Sequence, residues 1–191
     1  MKERPILFSG EMVQAILAGR KTQTRRVVKP QPEERKITEP GHEGVSLHLP
    51  GQSAYKDGVH EKWIRRGEYW DCPYGKPGDR LWVRETFCID DRPFRGGVLY
   101  RADFASPEII SPWKPSIHMP RWASRLLLEI TRVRVERVRE ISDVDAIAEG
   151  VISKEAFMPL WDSINAVRGH GVETNPWVWV IDFKVVDGRD H

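Results

Sequence analysis

Apolar residues along the chain follow two spacings, one typical of β-strands and the other of α-helices. Alternation of apolar and polar residues is clearest at 177–186, where five large apolar side chains share one face. The predicted strands cover residues 5–8, 24–28, 81–87, 98–102, 126–141 and 177–186. Helical spacing or capping residues predict helices at 10–18, 142–150 and 157–167.

Individual residues add detail to three of these predicted elements. The alternation of the longest predicted strand changes phase near Thr131, which predicts a β-bulge or a break between two strands. Ser142, followed by Asp145, predicts a capping box at the second helix, although Glu or Gln is the usual residue there. Pro159 predicts that the third helix begins at about residue 157, because proline is tolerated only in the first turn.

Strands outnumber helices and no strand–helix–strand repeat appears, which favours a mixed α+β fold that is mainly β. A small mixed β-barrel with inserted helices accounts for this pattern better than a parallel sheet. The 191 residues are expected to form a single domain spanning residues 1–191. Prolines and glycines interrupt the pattern at residues 31–70, so we expect an irregular insertion there, with short strands near 45–49 and 63–69.

The composition is that of a protein with a substantial core and nearly balanced charge. Hydrophobic residues make up 40% of the chain and charged residues 30%, and the formal net charge is +2. No apolar run approaches the ~18 residues of a membrane span, so we expect a cytoplasmic protein without membrane contact. The two cysteines lack metal-ligand spacing, so neither a metal site nor a cofactor is expected.

Candidate chemistry is concentrated where the first helix ends and the second strand begins. Residues 19–26 contain a lysine, two threonines and three arginines, and they start at Gly19, the position of a left-handed helix cap. This stretch predicts an edge of cations and hydroxyls, which suits an anionic or polar ligand. The candidate side chains are Lys21, Thr22, Thr24, Arg25 and Arg26.

A second stretch, residues 77–87, begins with a Pro-Gly-Asp turn and continues as a strand. Glu85 falls on the apolar parity of this strand, and Arg84 falls on the opposite parity. A carboxylate that points toward a core needs a cation or hydrogen-bond donors. We therefore expect Glu85 to meet Lys21 or one of the nearby arginines, and we keep Arg84 as a secondary ligand-binding candidate.

Three prolines between residues 112 and 120 predict an ordered loop, followed by a helical turn at 121–124. His118 in this loop is either a hydrogen-bonded structural residue or part of a ligand site. In the second case Arg121 would meet a phosphate and Trp122 would stack on a base at the mouth of the site.

Taken together, these motifs resemble the ASCH domain of the PUA-like superfamily, and more narrowly the phage and prophage ASCH-like proteins. The resemblance is carried by Gly-Arg-Lys-Thr-Gln-Thr-Arg-Arg at 19–26, Pro-Gly-Asp-Arg-Leu-Trp-Val-Arg-Glu at 77–85 and Leu-Trp-Asp-Ser-Ile-Asn at 160–165. A further segment, Pro-Ser-Ile-His-Met-Pro-Arg-Trp-Ala-Ser-Arg, lies at 115–125. The resemblance implies a β-barrel with a cleft beside the first helix that binds RNA or a modified nucleoside.

Some members of that family are similar to amidohydrolases that deacylate N4-acetylcytidine, which by motif implies Lys21, Thr24 and Glu85 as catalytic residues. Thr24 could attack the amide, or Glu85 could act as the base while a charged Lys21 stabilises the oxyanion. Two alternatives without chemistry stay open. One is a phage accessory or structural protein, and the other is a Lys21–Glu85 ion pair that fixes strand register.

Overall fold

The computed structural model describes residues 1–39, 42–48, 72–90, 96–105 and 112–186. Its helices are α1 (Gly10–Leu17), α2 (Asp143–Ala148) and α3 (Lys154–Asn165). Its strands are β1 (Glu3–Leu7), β2 (Gln23–Val27), β3 (Glu33–Glu39), β4 (His42–His48), β5 (Arg80–Arg84), β6 (Phe87–Asp90), β7 (Gly97–Tyr100), β8 (Leu127–Arg137) and β9 (Trp177–Val186). The mixed α+β class with mainly β content is confirmed.

Five strands form the central sheet, in the order β1-β5-β8-β9-β2. β1 and β5 are parallel, and the other neighbours are antiparallel. Within the described residues the sheet does not close into a barrel, and β1 and β2 are its two edges. A side chain nevertheless links these edges, because the Arg26 Nη2 donates to the Leu7 carbonyl at 2.6 Å.

Helices cover both faces of this sheet. The first core, on the α1 side, contains Val13 and Ile16 of α1 with Trp179 and Ile181 of β9. The second core lies on the opposite face, because residues alternate along β9. It contains Val178 and Val180 of β9, Ala146 of α2, and Phe157 and Trp161 of α3.

The strand predicted at 81–87 is interrupted by a link between two strands. β5 ends at Arg84, and β6 begins at Phe87 in a separate sheet with β7. The Thr86 carbonyl accepts from the Arg101 amide at 2.9 Å, and Phe87 forms a β-bridge with Lys114. Glu85 therefore lies in the short link, outside either ladder.

The third helix begins three residues before its predicted start. The Ser153 hydroxyl accepts from the Ala156 amide at 3.3 Å and caps α3 at Lys154. Pro159 then lies in the second turn and leaves one helical hydrogen bond unmade. The cap and the burial of Phe157 on the second core offset that loss.

Other local predictions are confirmed. β8 changes register between Ile130 and Arg132, next to Thr131. Ser142 and Asp145 form the capping box of α2. In the insertion, β3 and β4 form a hairpin that overlaps the strand predicted at 45–49. The strand predicted at 63–69 lies outside the described residues. In the described part of the chain, no helix is both long and apolar enough to cross a membrane.

Candidate functional site

Gly19 ends α1 in the left-handed conformation that its position predicted, with φ of 69°. The amides of Arg20 and Lys21 then both donate to the Ala15 carbonyl, at 2.9 and 3.0 Å. The Thr22 amide donates to the Ala148 carbonyl at the end of α2, at 2.8 Å. This tight turn brings Lys21 under the C-terminus of α2, and β2 follows directly.

Alternation along β2 sends its polar side chains to opposite faces of the sheet. Thr24 and Arg26 pair with Ile181 and Trp179 of β9, which belong to the first core. Arg25 pairs with Val180 of the second core. The candidates of this stretch therefore separate into two groups, since directly paired residues share a face.

Lys21 is 2% exposed, and its Nζ donates to two oxygens of Glu149. The carbonyl and the carboxylate Oε2 of Glu149 are both 2.7 Å from this Nζ. Burial lowers the pKa of Lys21, although the charge and hydrogen bond of Glu149 act in the opposite direction. Glu149 therefore takes the place of Glu85 as the carboxylate partner of Lys21.

The Phe8 ring contacts the cations of Lys21 and Arg26. Lys21 Nζ lies 5.7 Å and Arg26 Cζ 5.1 Å from the centroid of this ring, within the range of cation–π contacts. Thr24 is 3% exposed, and its hydroxyl makes no hydrogen bond to the described residues. We call Phe8, Lys21, Thr24 and Arg26 the Phe8 cluster.

Glu85 is 2% exposed and is held by Arg125. The Arg125 Nε and Nη2 donate to its two carboxylate oxygens at 2.9 and 3.0 Å. Arg125 also forms an ion pair with Asp103 at 2.8 Å and stacks on the Tyr100 ring at 4.0 Å. Burial raises the pKa of Glu85, against the opposing effect of Arg125. The predicted inward orientation of Glu85 is thus confirmed, with an arginine outside the 19–26 stretch as its partner.

Glu85 and Lys21 are linked through Phe8 and do not form an ion pair with each other. The Phe8 amide donates to the Arg84 carbonyl at 3.1 Å. Glu85 is the next residue along the chain, which places its backbone close to that of Phe8. The Phe8 ring in turn contacts the Lys21 ammonium. The ion pair that we considered as a register-fixing device is replaced by two separate pairs, Lys21–Glu149 and Glu85–Arg125.

Arg25 belongs to an ionic network on the opposite face. Its side chain is fully buried and forms ion pairs with Glu136, Asp145 and Glu149 at 3.2, 3.4 and 3.3 Å. Arg134 binds three carboxylates of the same network, those of Glu136, Asp145 and Asp182. With its guanidinium enclosed by acids, Arg25 has no free surface on which to meet a ligand.

The side chains of Arg84 and Arg121 make their described contacts outside the Phe8 cluster. Arg84 stacks on Trp82 at 4.7 Å and donates to the Met119 carbonyl. Arg121 forms an ion pair at 2.8 Å with Glu3, which begins β1. Phe8 follows the other end of β1, about 16 Å along the strand.

The loop residues His118 and Trp122 are exposed, Trp122 at 67%. Thr22, next to the cluster, is also exposed, and its described hydrogen bonds come from its backbone. These three side chains present polar or aromatic surface to solvent.

Sequence reasoning missed Glu149 and Arg125, the partners of the two ionisable candidates. The sequence did contain a local signal for Glu149. Gly150, with φ of 90°, marks the end of α2, so Glu149 could be recognised as the last residue before the turn. Arg125 lies in the segment 115–125, where we singled out other residues.

Within the described ranges, no group of three or more His, Cys, Asp or Glu side chains is arranged to hold a metal ion. Comparison with protein-family models and with curated proteins gives no match. A similar solved structure is that of EF3133 from Enterococcus faecalis V583, a DUF984 protein. The two share 14% identity over 100% of this chain and 84% of that one, with a TM-score of 0.47. A similarity at this level assigns neither family nor function.

Proposed function

We propose that this protein binds RNA or a modified nucleoside at the Phe8 cluster, beside α1 and between the edge strands β1 and β2. The observation that carries the proposal is the free hydroxyl of Thr24. The Thr24 oxygen is not among the fully buried atoms that lack a partner, so it stays open to a hydrogen bond from outside the chain, and it lies on the same strand face as the Arg26 guanidinium. A ligand with polar edges would supply the missing partner.

The charges of the cluster favour a ligand with little negative charge at this point. Lys21 is neutralised by Glu149, whereas Arg26 forms no ion pair with a described carboxylate. A nucleobase offers the acceptors and the flat surface that Thr24, Arg26 and Phe8 can contact. Phosphates of a longer RNA would then have to bind elsewhere on the surface.

Calorimetric titration of the protein with nucleosides and short RNAs tests this proposal. Thr24→Ala is expected to weaken binding about fivefold, the equivalent of one hydrogen bond of about 1 kcal/mol. Thr131→Ala, an exposed threonine at the β8 bulge, is the matched control and should leave affinity unchanged. Equal affinity in Thr24→Ala and wild type would refute the proposal. Affinity that falls steeply with salt would identify RNA rather than a nucleoside as the ligand.

A second candidate function, hydrolysis of acylated cytidine, is favoured by the pKa directions of two buried groups. The pKa of Lys21 is lowered and that of Glu85 is raised, both mainly by burial. Such perturbed groups are typical of catalytic sites, although structural ion pairs also produce them. Water would add to the acyl carbonyl and the amine would leave, which gives cytidine and acetate from N4-acetylcytidine.

Two assignments of roles stay open for this reaction. Thr24 could be the nucleophile with Lys21 as its base, or Glu85 could activate water while Lys21 stabilises the oxyanion. Incubation with N4-acetylcytidine, with cytidine release followed by chromatography, tests both. Turnover abolished in Lys21→Ala and in the isosteric Glu85→Gln would support this function, and absence of turnover by the folded wild type would end it.

We also propose that the open sheet corresponds to a PUA-like barrel of the ASCH type. The support is the Arg26–Leu7 hydrogen bond between the two edge strands, together with the motifs at 19–26 and 77–85. A crystal structure of the whole chain tests this. An ASCH-type barrel requires β1 and β2 to approach each other along their length, whereas edges that diverge beyond Leu7 would contradict it.

A further inference from the structure

We infer that Glu149 is a positioning residue, which holds the ammonium group of Lys21 beside Phe8 and controls its protonation. The sequence predicted Glu85 as the carboxylate partner of Lys21. The functional consequence of the inference rests on the proposed function, whereas its physical basis does not.

Glu149 contacts Lys21 with two different oxygens. Its backbone carbonyl and its carboxylate Oε2 each accept a hydrogen bond from Nζ at 2.7 Å. The other carboxylate oxygen, Oε1, accepts from the Arg25 Nη1 at 3.3 Å. Two acceptors from one residue fix the Lys21 ammonium in direction as well as in distance, and the shared carboxylate is itself held by a second cation.

The backbone around Glu149 is built for close contact with the Lys21 segment. The Thr22 amide donates to the Ala148 carbonyl at 2.8 Å. A Cβ at Gly150 would lie 3.2 Å from the Lys21 Cβ and 3.1 Å from the Ala15 Cβ. Only glycine allows this approach at a φ of 90°. The C-terminal end of α2 therefore packs directly against Lys21, and this contact restricts movement of Glu149 away from the Lys21 ammonium.

The charges facing Lys21 make Glu149 the group that favours its ammonium form. Lys21 faces the carboxylate of Glu149, the guanidinium groups of Arg25 and Arg26, and the Phe8 ring. Glu149 faces Lys21 and Arg25, and Arg25 in turn faces Glu136 and Asp145. Removal of the Glu149 charge would leave burial and two arginines acting on Lys21, and all three disfavour the ammonium form.

The test is to measure the Lys21 pKa in wild type and in Glu149→Gln by NMR of the Nζ group or by pH-dependent amine labelling with mass spectrometry. We expect the variant to lower this pKa by about one unit or more, the effect of losing an opposite charge in contact. Glu85→Gln is the control and should leave the Lys21 pKa unchanged, because Glu85 pairs with Arg125. An unchanged pKa in Glu149→Gln, or a larger shift in Glu85→Gln, would overturn the inference.

Glu149→Asp keeps the inference testable if the glutamine variant does not fold. The shorter side chain withdraws the carboxylate by about one carbon–carbon bond, or ~1.5 Å, and retains the charge for Arg25. We expect a fall in the Lys21 pKa that is smaller than the fall for Gln, and no fall would count against Glu149.

Ligand binding separates this inference from the proposed function. If wild-type protein binds a nucleoside and the inference holds, the pH profile of binding should shift in Glu149→Gln together with the Lys21 pKa. A binding profile that stays fixed while the pKa moves would refute the positioning role. If wild type binds no nucleoside at any pH, the proposed function fails, and the pKa measurement still decides whether Glu149 controls Lys21.

Discussion

Substitution of Arg25 by methionine is the most direct test of how this fold uses its charges. The sequence placed Arg25 beside Arg26 as a ligand-binding pair, whereas the structure places its guanidinium among Glu136, Asp145 and Glu149. Methionine retains much of the length and apolar contact of the arginine stem. The variant therefore removes the charge while keeping most of the packing.

The expected loss of stability follows from the exposure of the three carboxylates. Breaking a fully buried ion pair by removal of one partner costs about 3–5 kcal/mol. The Glu136 and Asp145 side chains are 24% and 21% exposed, so water partly solvates them after the change, whereas the Glu149 side chain is 6% exposed. We therefore expect the lower end of the range, about 3 kcal/mol, which lowers Tm by roughly 6–12 °C for a chain of this size.

Arg26→Met is the matched control for this measurement. Arg26 is adjacent in sequence and equally long, but it makes a hydrogen bond to a neutral carbonyl and a contact with the Phe8 ring. We expect its loss to cost about 1 kcal/mol and to lower Tm by roughly 2–4 °C. Thermal unfolding followed by circular dichroism reports both variants. A tolerated Arg25→Met, or a greater loss in Arg26→Met, would refute the assignment of Arg25 to a structural network.

The same substitution carries a second expectation, for Asp145. Burial acts to raise the pKa of this carboxyl, but hydrogen bonds from Gln23 and Ser142 and the charge of Arg25 outweigh it and bring the pKa to about 2. In Arg25→Met one of the lowering effects is lost, so the pKa of Asp145 should rise. Carboxyl-detected NMR titration measures this change directly.

Three further predictions concern residues outside this network. Gly150→Ala should destabilise the protein by about 1–3 kcal/mol in urea unfolding. The loss should exceed that of the control Gly169→Ala. Both glycines have positive φ, but of the two only Gly150 has neighbours that an added methyl group would contact. Asp79 has a pKa of about 2, below the ordinary 3.8, chiefly because a main-chain amide donates to it. Its stabilisation is complete above about pH 4 and is lost toward pH 2, so Asp79→Asn should flatten the dependence of Tm on pH in that window. Arg125→Met should raise the pKa of Glu85 further, because the opposing charge is lost. The variant should therefore lose stability relative to wild type as pH rises from 5 to 8. An equal loss at pH 5 and pH 8 would contradict this.

Glu149 connects the two faces of the sheet, a relation that follows from its two carboxylate oxygens. Oε2 holds Lys21 of the Phe8 cluster, and Oε1 holds Arg25 of the opposite network. A change in the network that moves α2 would therefore also move the Lys21 ammonium. Binding studies on Arg25 variants should monitor Lys21 for this reason.

The sequence by itself determined the elements whose causes are local. The left-handed turn at Gly19, the capping box at Ser142 and the bulge beside Thr131 each depend on a few neighbouring residues, and each occurs as predicted. Glu85 is buried as its apolar parity predicted, although it lies in the link after β5 and not within the predicted strand. Pro159 misled the prediction of α3, since a cap at Ser153 and burial of the helix outweighed its local preference.

Tertiary structure alone decided which charges meet. Lys21 and Glu149 are 128 positions apart, and Glu85 and Arg125 are 40 apart. A buried ion must find a counter-ion, but the sequence does not state which one, because that choice depends on how α2 and the segment 115–125 pack onto the sheet. The division of Arg25 and Arg26 between two faces has the same origin. Strand alternation points the Arg25 and Arg26 side chains to opposite faces of the sheet. Only the packing of the two cores decides which face carries the acidic residues and which carries Phe8.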